Sequence, residues 1–396
     1  MHNKKRKICV ITGTRAEYGL LQPIMQVIKD DPVFELQVVA TGMHLSPEFG
    51  LTYKTIEKDG FKINEKIEML LSSDTSIGVA KAMGLATISM SEMLDRLKPE
   101  FIMVLGDRFE LLAVTQAALV SRVPVIHLAG GDVTEGAFDE AIRHSITKMS
   151  HLHFVTNKES QKRVRQLGEN PENIFLVGNP GLDHLNNIKL MTKNELEKSL
   201  DYSFRKRNIL VTFHSVTLDE KSSMDSFEEL LIALDSFGDE VGIIFTKPNS
   251  DTEGRKIIKR LDKFSQSRIN CVVHTSLGQL RYLSAASLVD VVVGNSSSGI
   301  LEVPSLKTPT VNIGDRQKGR PRADSVIDCK PNSVIIKKSI KKAFKMNCNN
   351  TINPYGDGRT APRVLKVLKK INSSKGLIKK HFFDIDFKEE FLIKEV

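Results

Sequence analysis

Short apolar runs alternate with longer amphipathic stretches along most of the chain. In the first half the apolar runs lie at residues 7–12, 36–41, 101–105, 123–128, 152–156 and 174–177, and helical patterns occupy residues 20–29, 76–97 and 109–121. Strands of nearly continuous apolar residues separated by helices are typical of a parallel sheet covered on both faces. The first half therefore predicts one doubly wound α/β domain.

The alternation restarts after a polar stretch at residues 179–206. Further apolar runs lie at residues 208–213, 241–246, 269–274, 289–293 and 310–313, and a last helix is predicted at residues 361–371. We expect an N-terminal Rossmann-like domain at residues 1–181, a C-terminal one at 182–372 and a tail at 373–396. The predicted fold class is thus α/β, with two doubly wound domains and a ligand cleft between them at the carboxyl ends of their strands.

Composition narrows the class of protein. The apolar runs are too short to span a bilayer, and the run after the basic residues 4–7 ends too early for a signal peptide. The four cysteines are widely spaced and form no CxxC pair, which favours a reducing cytoplasm over a disulfide framework or a zinc site. The formal charge of +9 lies largely in lysine-rich stretches without a nucleic-acid motif. Solvated basic faces are the first explanation for it, and an anionic small substrate is the second.

Loops after three predicted strands carry candidate binding and proton-transfer groups in the first half. Residues 13–19 place Arg15 between a glycine turn and a helix, which suits a phosphate as well as it suits an ordinary βα turn with a surface arginine. Asp107 follows the strand at 101–105, and residues 132–140 contain four acids, including Asp132 and Asp139. Neighbouring carboxyl groups can transfer a proton at carbon, although helix capping alone explains each of them.

The strongest signal of the second half is the segment at residues 294–304, GNSSSGILEVP, which joins an apolar strand to a helix. Its N–H groups and the hydroxyls of Ser296, Ser297 and Ser298 can surround a diphosphate without a metal. Glu302 is placed to accept hydrogen bonds from ribose hydroxyls. A serine-capped loop is the alternative explanation.

Six segments together resemble the hydrolysing UDP-N-acetylglucosamine 2-epimerases of sialic acid and related nonulosonic acid biosynthesis. They are GTRAEYG, ATGMH, LGDR, GGDVTEGAFDEAIRHSITK, GNSSSGILEVPS and NIGDRQKGR. The matches occur in order from about residue 7 to residue 370. The resemblance implies a GT-B-like fold, with the sugar on the first domain and UDP held largely by the second. The forms GTRPE, HGDT and SGGxQEE of the non-hydrolysing relatives are absent from the sequence, which favours release of a free sugar.

The resemblance also implies roles for individual residues. It implies catalytic roles for Asp107 and Asp139, a place near the diphosphate for His214, and nucleotide contacts for Arg15, Ser297, Ser298 and Glu302. From their positions in the sequence, the further candidates are Asp132 for catalysis and, for substrate binding, Lys247, Asn249, Ser296, Gly299, Arg316, Arg143 and His144; His214 also counts among the catalytic candidates. One departure concerns the motif HIEGGE of members that act on UDP-N-acetylglucosamine. Here the segment 127–132 reads HLAGGD, so Ala129 stands where those members have a carboxylate and Asp132 becomes a possible substitute.

The implied reaction converts UDP-N-acetylglucosamine and water to UDP and N-acetylmannosamine by elimination through 2-acetamidoglucal. UDP-N,N'-diacetylbacillosamine is the alternative substrate because of the alanine at position 129. A GT-B glycosyltransferase and a non-catalytic nucleotide-sugar sensor are less favoured alternatives. We expect no cofactor, no metal, no nucleic-acid or membrane partner, a cytoplasmic location and a homodimer or homotetramer.

Overall fold

The computed structural model describes residues 5–71, 75–133, 139–215, 223–248, 254–266, 268–371 and 373–385. The chain forms two compact units, one of residues 1–183 with 358–396 and one of residues 184–357. Each unit contains one parallel sheet with helices packed on it, so the predicted fold class is confirmed. No helix within the described segments combines the length and apolarity needed to cross a bilayer.

The first unit has a seven-stranded sheet in the order β3-β2-β1-β4-β5-β6-β7. Its strands are β1 (Arg6–Thr12), β2 (Phe34–Thr41), β3 (Glu65–Ile67), β4 (Phe101–Leu105), β5 (Val125–Leu128), β6 (Leu152–Val155) and β7 (Ile174–Leu176). Its helices are α1 (Arg15–Asp30), α2 (Tyr53–Lys58), α3 (Ser76–Leu97), α4 (Phe109–Val120), α5 (Asp139–Met149) and α6 (Lys158–Gln166), and α7 (Asp183–Asn187) begins at its boundary.

Alternate residues of β1 enter two separate cores, as the pleat of a strand requires. Ile8 and Val10 are fully buried in a core that also contains side chains of α1. Cys9 and Ile11 are fully buried in a second core with side chains of α3 and α4. Burial on both faces explains why the central strands read as continuous apolar runs.

The second unit has a six-stranded parallel sheet in the order β10-β9-β8-β11-β12-β13. Its strands are β8 (Arg207–Thr212), β9 (Val241–Thr246), β10 (Cys271–His274), β11 (Val291–Gly294), β12 (Thr310–Ile313) and β13 (Val326–Cys329). Its helices are α8 (Lys193–Leu200), α9 (Ser223–Asp235), α10 (Gly254–Gln266), α11 (Gly278–Leu288), α12 (Ser298–Leu301) and α13 (Ser333–Ala343).

The strand order reverses between β1 and β4 in the first sheet and between β8 and β11 in the second. In open α/β sheets the loops diverge at such a switch point and leave a crevice at the carboxyl ends of the strands. The predicted site residues follow β1, β4 and β5 in the first unit and β8, β9, β11 and β12 in the second. The topology therefore gathers them at one edge of each sheet.

The last helix, α14 (Thr360–Lys370), belongs to the first unit, whereas residues 182–372 were expected to form the second domain. Its buried side chains Ala361, Val364 and Leu368 share a core with residues of α1 and β1. The carboxylate of Asp183 accepts hydrogen bonds from the N–H groups of Thr360 at 2.8 Å and Ala361 at 2.6 Å. The apolar face of α14 thus completes the first core, a long-range contact that the sequence order conceals.

Candidate active site

Arg143 connects three segments at the carboxyl edge of the first sheet. Its guanidinium pairs with Asp107 after β4, donates to Glu140 Oε2 at 3.2 Å and donates to the backbone oxygen of Asp132 after β5 at 2.7 Å. The Arg143 side chain is 7% exposed and the Asp107 side chain 26% exposed. The pair therefore fixes one predicted catalytic carboxylate beside a buried cation, with part of the carboxylate accessible to a ligand.

His127 fixes the loop that carries Asp107 and the helix that carries Arg143. Its Nε2 donates to the backbone oxygen of Gly106 at 2.8 Å, and its Nδ1 lies 3.1 Å from Thr147 Oγ1. Burial lowers the pKa of His127 to about 3, so the imidazole is neutral at physiological pH. Because both ring nitrogens of His127 are engaged, the ring fixes Gly106, the residue before Asp107. A neutral imidazole is also a poor proton donor.

The carboxylate of Asp132 contacts residues at and just before the start of α6. Its Oδ1 accepts hydrogen bonds from Thr156 Oγ1 at 2.7 Å, Asn157 Nδ2 at 3.3 Å and Ser160 Oγ at 2.5 Å. Asn157 caps the N-terminus of α6. At least one carboxylate oxygen of Asp132 therefore anchors the loop after β5 to α6, while its catalytic role stays a prediction.

Asp139 is the first residue of α5 and is half-buried. Within the described residues no hydrogen bond or ion pair joins Asp139 to Asp107. His144 lies on the same helix, where its Nε2 is 3.2 Å from Glu140 Oε1. Arg143 thus contacts both Asp107 and Glu140, and Glu140 also contacts His144. Glu140 was not among the predicted site residues.

The Glu140 contacts had a signal in the sequence, because residues three and four apart on a helix are neighbours. Glu140 precedes Arg143 by three positions and His144 by four. The support from His127 and Thr147 had no such signal, because it depends on β5 and α5 packing against each other.

Two buried glutamates surround Gly13 at the end of β1. Glu17 Oε2 accepts a hydrogen bond from the Gly13 N–H at 2.8 Å. Glu110 Oε1 would lie 2.5 Å from a Cβ built on Gly13, and it accepts a hydrogen bond from Arg108 Nε at 2.6 Å. Glycine is therefore needed at position 13 for the close approach of Glu110, which holds Arg108 next to Asp107. The exposed guanidinium of Arg15 has no side-chain partner within the described residues.

In the second unit, Gly294 ends β11 with a φ of 141°, and a Cβ there would lie 1.9 Å from the backbone oxygen of Thr212. The chain then enters α12, which has only four residues and carries Ser297 as its N-cap. The helix expected after this segment is therefore short, and a separate 3₁₀ turn at residues 303–306, with Pro304 near its start, follows it. Gly299 packs against β12, since a Cβ there would lie 2.8 Å from Thr310 Cγ2.

Asn295 joins the serine loop (residues 294–302) to two neighbouring loops. Its side chain accepts from the backbone N–H of His214 at 2.7 Å and donates to the backbone oxygen of His214 at 2.8 Å. Its own backbone oxygen accepts from Arg316 Nη1 at 3.1 Å and from Gln317 Nε2 at 2.9 Å. The predicted residues His214 and Arg316 are thereby fixed at the start of the serine loop.

Tyr282 completes the hydroxyl side of the serine loop. The Ser298 hydroxyl donates to the Tyr282 oxygen at 2.6 Å, so it is already engaged. Burial raises the pKa of Glu302, whereas the Ser298 hydroxyl and the charge of His184 lower it. Tyr282 was missed because it lies on α11, far from the serine loop in sequence.

The other predicted binding residues have simpler surroundings. Lys247 follows β9 and forms an ion pair with Asp262 on α10 at 2.8 Å. Ser296 Oγ lies 3.4 Å from the Ser298 N–H. Asn249 lies outside the described residues. Over the described part of the chain, no cluster of three or more histidine, cysteine, aspartate or glutamate side chains is arranged to hold a metal ion.

The sequence matches the family model described as UDP-N-acetylglucosamine 2-epimerase over residues 26–369. It is 41% identical to the GDP/UDP-N,N'-diacetylbacillosamine 2-epimerase (hydrolyzing) of Campylobacter jejuni, over 96% of this chain and 100% of that protein. It is 37% identical to polysialic acid biosynthesis protein P7 of Escherichia coli, over 96% and 98% of the two chains. It is 34% identical to the UDP-N,N'-diacetylbacillosamine 2-epimerase (hydrolyzing) of Legionella pneumophila, over 92% and 96%.

A similar fold occurs in the crystal structure of UDP-GlcNAc 2-epimerase from Neisseria meningitidis bound to UDP-GlcNAc. The TM-score is 0.75 at 19% sequence identity, and the match covers 92% of this chain and 100% of that one. At this identity the likeness shows the fold, which is GT-B-like as the sequence analysis expected.

Proposed function

Because this chain belongs to the UDP-N-acetylglucosamine 2-epimerase family and is a hydrolysing 2-epimerase of a nucleotide sugar, we propose that its substrate is UDP-N,N'-diacetylbacillosamine. The products would be UDP and 2,4-diacetamido-2,4,6-trideoxymannose. This reverses the order of the two substrates in the sequence analysis, where UDP-N-acetylglucosamine came first. The reversal is supported by two relatives, 41% and 34% identical, whose names carry this sugar.

Ala129 is the observation in this chain that carries the proposal. It follows β5 directly with a φ of 61°. By the family resemblance, it stands where members acting on UDP-N-acetylglucosamine often have a carboxylate. A methyl group takes less space than a glutamate side chain and has no charge. It therefore favours a sugar with an acetamido group at C4 and a methyl group at C6 over one with hydroxyl groups there.

In the proposed reaction a carboxylate removes the C2 proton while the bond from C1 to the UDP oxygen breaks, and its electrons leave with UDP. Water then adds its hydroxyl to the glycal at C1, and C2 receives a proton on the opposite face. We assign the first step to Asp107, since its ion pair with Arg143 favours the ionised carboxylate that a base requires. Asp139 is proposed as the acid.

The groups proposed to bind the substrate remain those of the sequence analysis. The serine loop, Glu302, His214 and Arg316 would provide hydroxyl, carboxylate and cationic contacts to the nucleotide, with Lys247 and Arg15 adding charge. Tyr282 is added because it holds the hydroxyl of Ser298. The cytoplasmic location and the homo-oligomer stay predictions.

The substrate is tested by incubating the protein in parallel with UDP-N,N'-diacetylbacillosamine, its GDP analogue and UDP-N-acetylglucosamine, and measuring free nucleotide and free sugar. We expect the highest kcat/KM with UDP-N,N'-diacetylbacillosamine. The GDP analogue is included because the Campylobacter jejuni relative is named for both nucleotides. A higher kcat/KM with UDP-N-acetylglucosamine would refute the proposed substrate and leave the family assignment intact.

The base is tested by Asp107→Asn, which nearly preserves volume and removes the proton acceptor. We expect substrate affinity to persist and kcat to fall by about 10²-fold or more. Asp95→Asn, an exposed carboxylate on α3, is the matched control and should keep wild-type kcat. In heavy water the wild-type product should carry deuterium at C2, and retention of the original hydrogen there would exclude the elimination.

A further inference from the structure

A basic cavity lies at the carboxyl ends of β12 and β13, next to the proposed nucleotide loop. Its volume is about 510 Å³, and its charged lining residues are Asp315, Lys318, Arg320, Arg322, Asp328 and Lys330. Four cations therefore face two carboxylates. The cavity includes none of the residues assigned above to the substrate.

Two of the cations are held in place by neighbouring side chains. Arg322 Nε donates to the two carboxylate oxygens of Asp328 at 3.2 and 3.1 Å, so this carboxylate is neutralised. Arg320 Nη1 donates to Gln317 Oε1 at 2.8 Å. Gln317 is 2% exposed, so the anchor of Arg320 is itself fixed in the protein interior.

The other two cations are uncompensated. The ammonium groups of Lys318 and Lys330 are exposed and form no ion pair with any described residue, and Asp315 is the carboxylate left to balance them and Arg320. Like charges on one concave wall repel each other and attract an anion. We infer that this cavity binds a small polyanion through its phosphate or carboxylate groups.

Gln317 connects this site to the serine loop. Its amide accepts from Arg320 and donates to the backbone oxygen of Asn295, the residue that enters the serine loop after β11. An anion that binds Arg320 therefore competes for the guanidinium that donates to Gln317, whose amide also contacts the serine loop. Binding in the cavity does not depend on which sugar the enzyme uses, so it can fail or succeed independently of the proposed function.

The site is tested by isothermal titration calorimetry with two probes, inorganic pyrophosphate and citrate, each with and without saturating UDP. We expect one equivalent of at least one probe to bind in the presence of UDP. Binding of pyrophosphate alone would identify a phosphate-bearing ligand, and binding of citrate alone a polycarboxylate. Displacement of both probes by UDP would place them at the nucleotide loop and overturn the inference.

Reversing a charge in the cavity is a second test of anion binding. Lys330→Glu should weaken binding by about tenfold or more, since it replaces an attraction by a repulsion. Lys345→Glu makes the same change at an exposed position of the second unit outside the cavity and should leave the affinity nearly unchanged. Equal weakening in both variants would mean that only net charge matters, and the inference would be wrong.

The thiol of Cys329 gives an independent readout, because it lines the cavity. Burial raises the pKa of Cys329 to about 11 and that of Cys271, on β10, to about 12, so both thiols react slowly with alkylating reagents. The bound probe should slow alkylation of Cys329 and leave Cys271 unchanged in peptide mass spectra. Equal rates for Cys329 with and without probe would contradict occupancy of the cavity.

Discussion

Glu17 and Glu110 form a buried carboxylate pair that the proposed chemistry does not use. Glu110 is fully buried and Glu17 is 5% exposed. Glu17 Oε1 and Glu110 Oε2 have no hydrogen-bond partner in the described part of the chain. Burial raises the pKa of Glu17 to about 8, with the charge of Glu110 adding to the rise and that of Arg108 opposing it. At neutral pH the pair therefore retains a proton on Glu17.

This raised pKa predicts how the stability of the first unit depends on pH. The folded chain keeps a proton on Glu17 that the unfolded chain releases above its ordinary pKa of 4.5, so the free energy of unfolding falls as pH rises from there to about 8. Glu17→Gln keeps an acceptor for the Gly13 N–H and removes the titration. We expect its melting temperature, followed by circular dichroism, to exceed that of the wild type increasingly across this interval.

Glu35→Gln is the matched control, because Glu35 is exposed on β2 and loses only a surface charge. Its stability profile should run parallel to that of the wild type. A Glu17→Gln profile that also runs parallel would show that Glu17 titrates normally in the folded chain.

Sequence and structure agree best at residues whose role depends on local position. Asp107 and Arg15 could be proposed from the sequence because each lies two or three residues after the end of a strand, and their roles stay predictions. The pairing of Asp107 with Arg143 could not be predicted, since it requires helix α5 to lie next to the loop after β4. Tyr282 and Gln317 were missed for the same reason, as each reaches the serine loop from a distant element.

Among the elements, the junction of β11 with the serine loop has the strictest backbone requirement. Gly294→Ala adds a Cβ 1.9 Å from the Thr212 oxygen at a φ that side chains avoid. We expect the free energy of unfolding of the second unit to fall by at least about 2 kcal/mol, since backbone strain and overpacking both contribute. Urea denaturation measured by circular dichroism tests this value.

Gly278→Ala separates the two contributions. Gly278 also has a positive φ, of 62°, but no atom lies within 4 Å of a Cβ built there. This variant should lose only about 1 kcal/mol, from strain alone. Equal losses in the two variants would mean that the contact with Thr212 does not determine the need for glycine at position 294.

The strands that the sequence predicted well are those buried on both faces. The run at residues 101–105 coincides with β4, and the run at 310–313 coincides with β12. The edge strands β3 and β13 were missed, because they have three and four residues and include exposed positions that interrupt the apolar pattern. Periodicity detects burial, and β3 and β13 are too short and too exposed to show it, whereas the runs at residues 174–177 and 269–274 located the other two edge strands, β7 and β10.

For the molecule as a whole, the stability of the first unit depends on α14, a helix that follows the second unit in the sequence. Leu368→Ala removes a side chain that is 1% exposed from the core formed with α1 and β1, and should cost the first unit about 2–5 kcal/mol. Hydrogen exchange should accelerate in peptides of β1 and α1 and stay unchanged in peptides of β8 and β9. Lys366→Ala, on the exposed side of α14, should change neither set.

Acceleration in β8 and β9 would instead assign α14 to the second unit, as the sequence analysis expected. Acceleration in both sets would mean that the two units unfold as one.

The return of α14 to the first unit also sets an order of events on the ribosome. The second unit ends at residue 357, so its chain is complete before α14 emerges, whereas the first unit lacks Ala361, Val364 and Leu368 until the last helix is made. Although its synthesis begins first, the first unit is the later of the two to close its core. Ribosome-bound chains stalled when residue 357 has left the exit tunnel and α14 has not should therefore carry a protease-resistant second unit together with a first unit whose uncovered α1 face recruits chaperones.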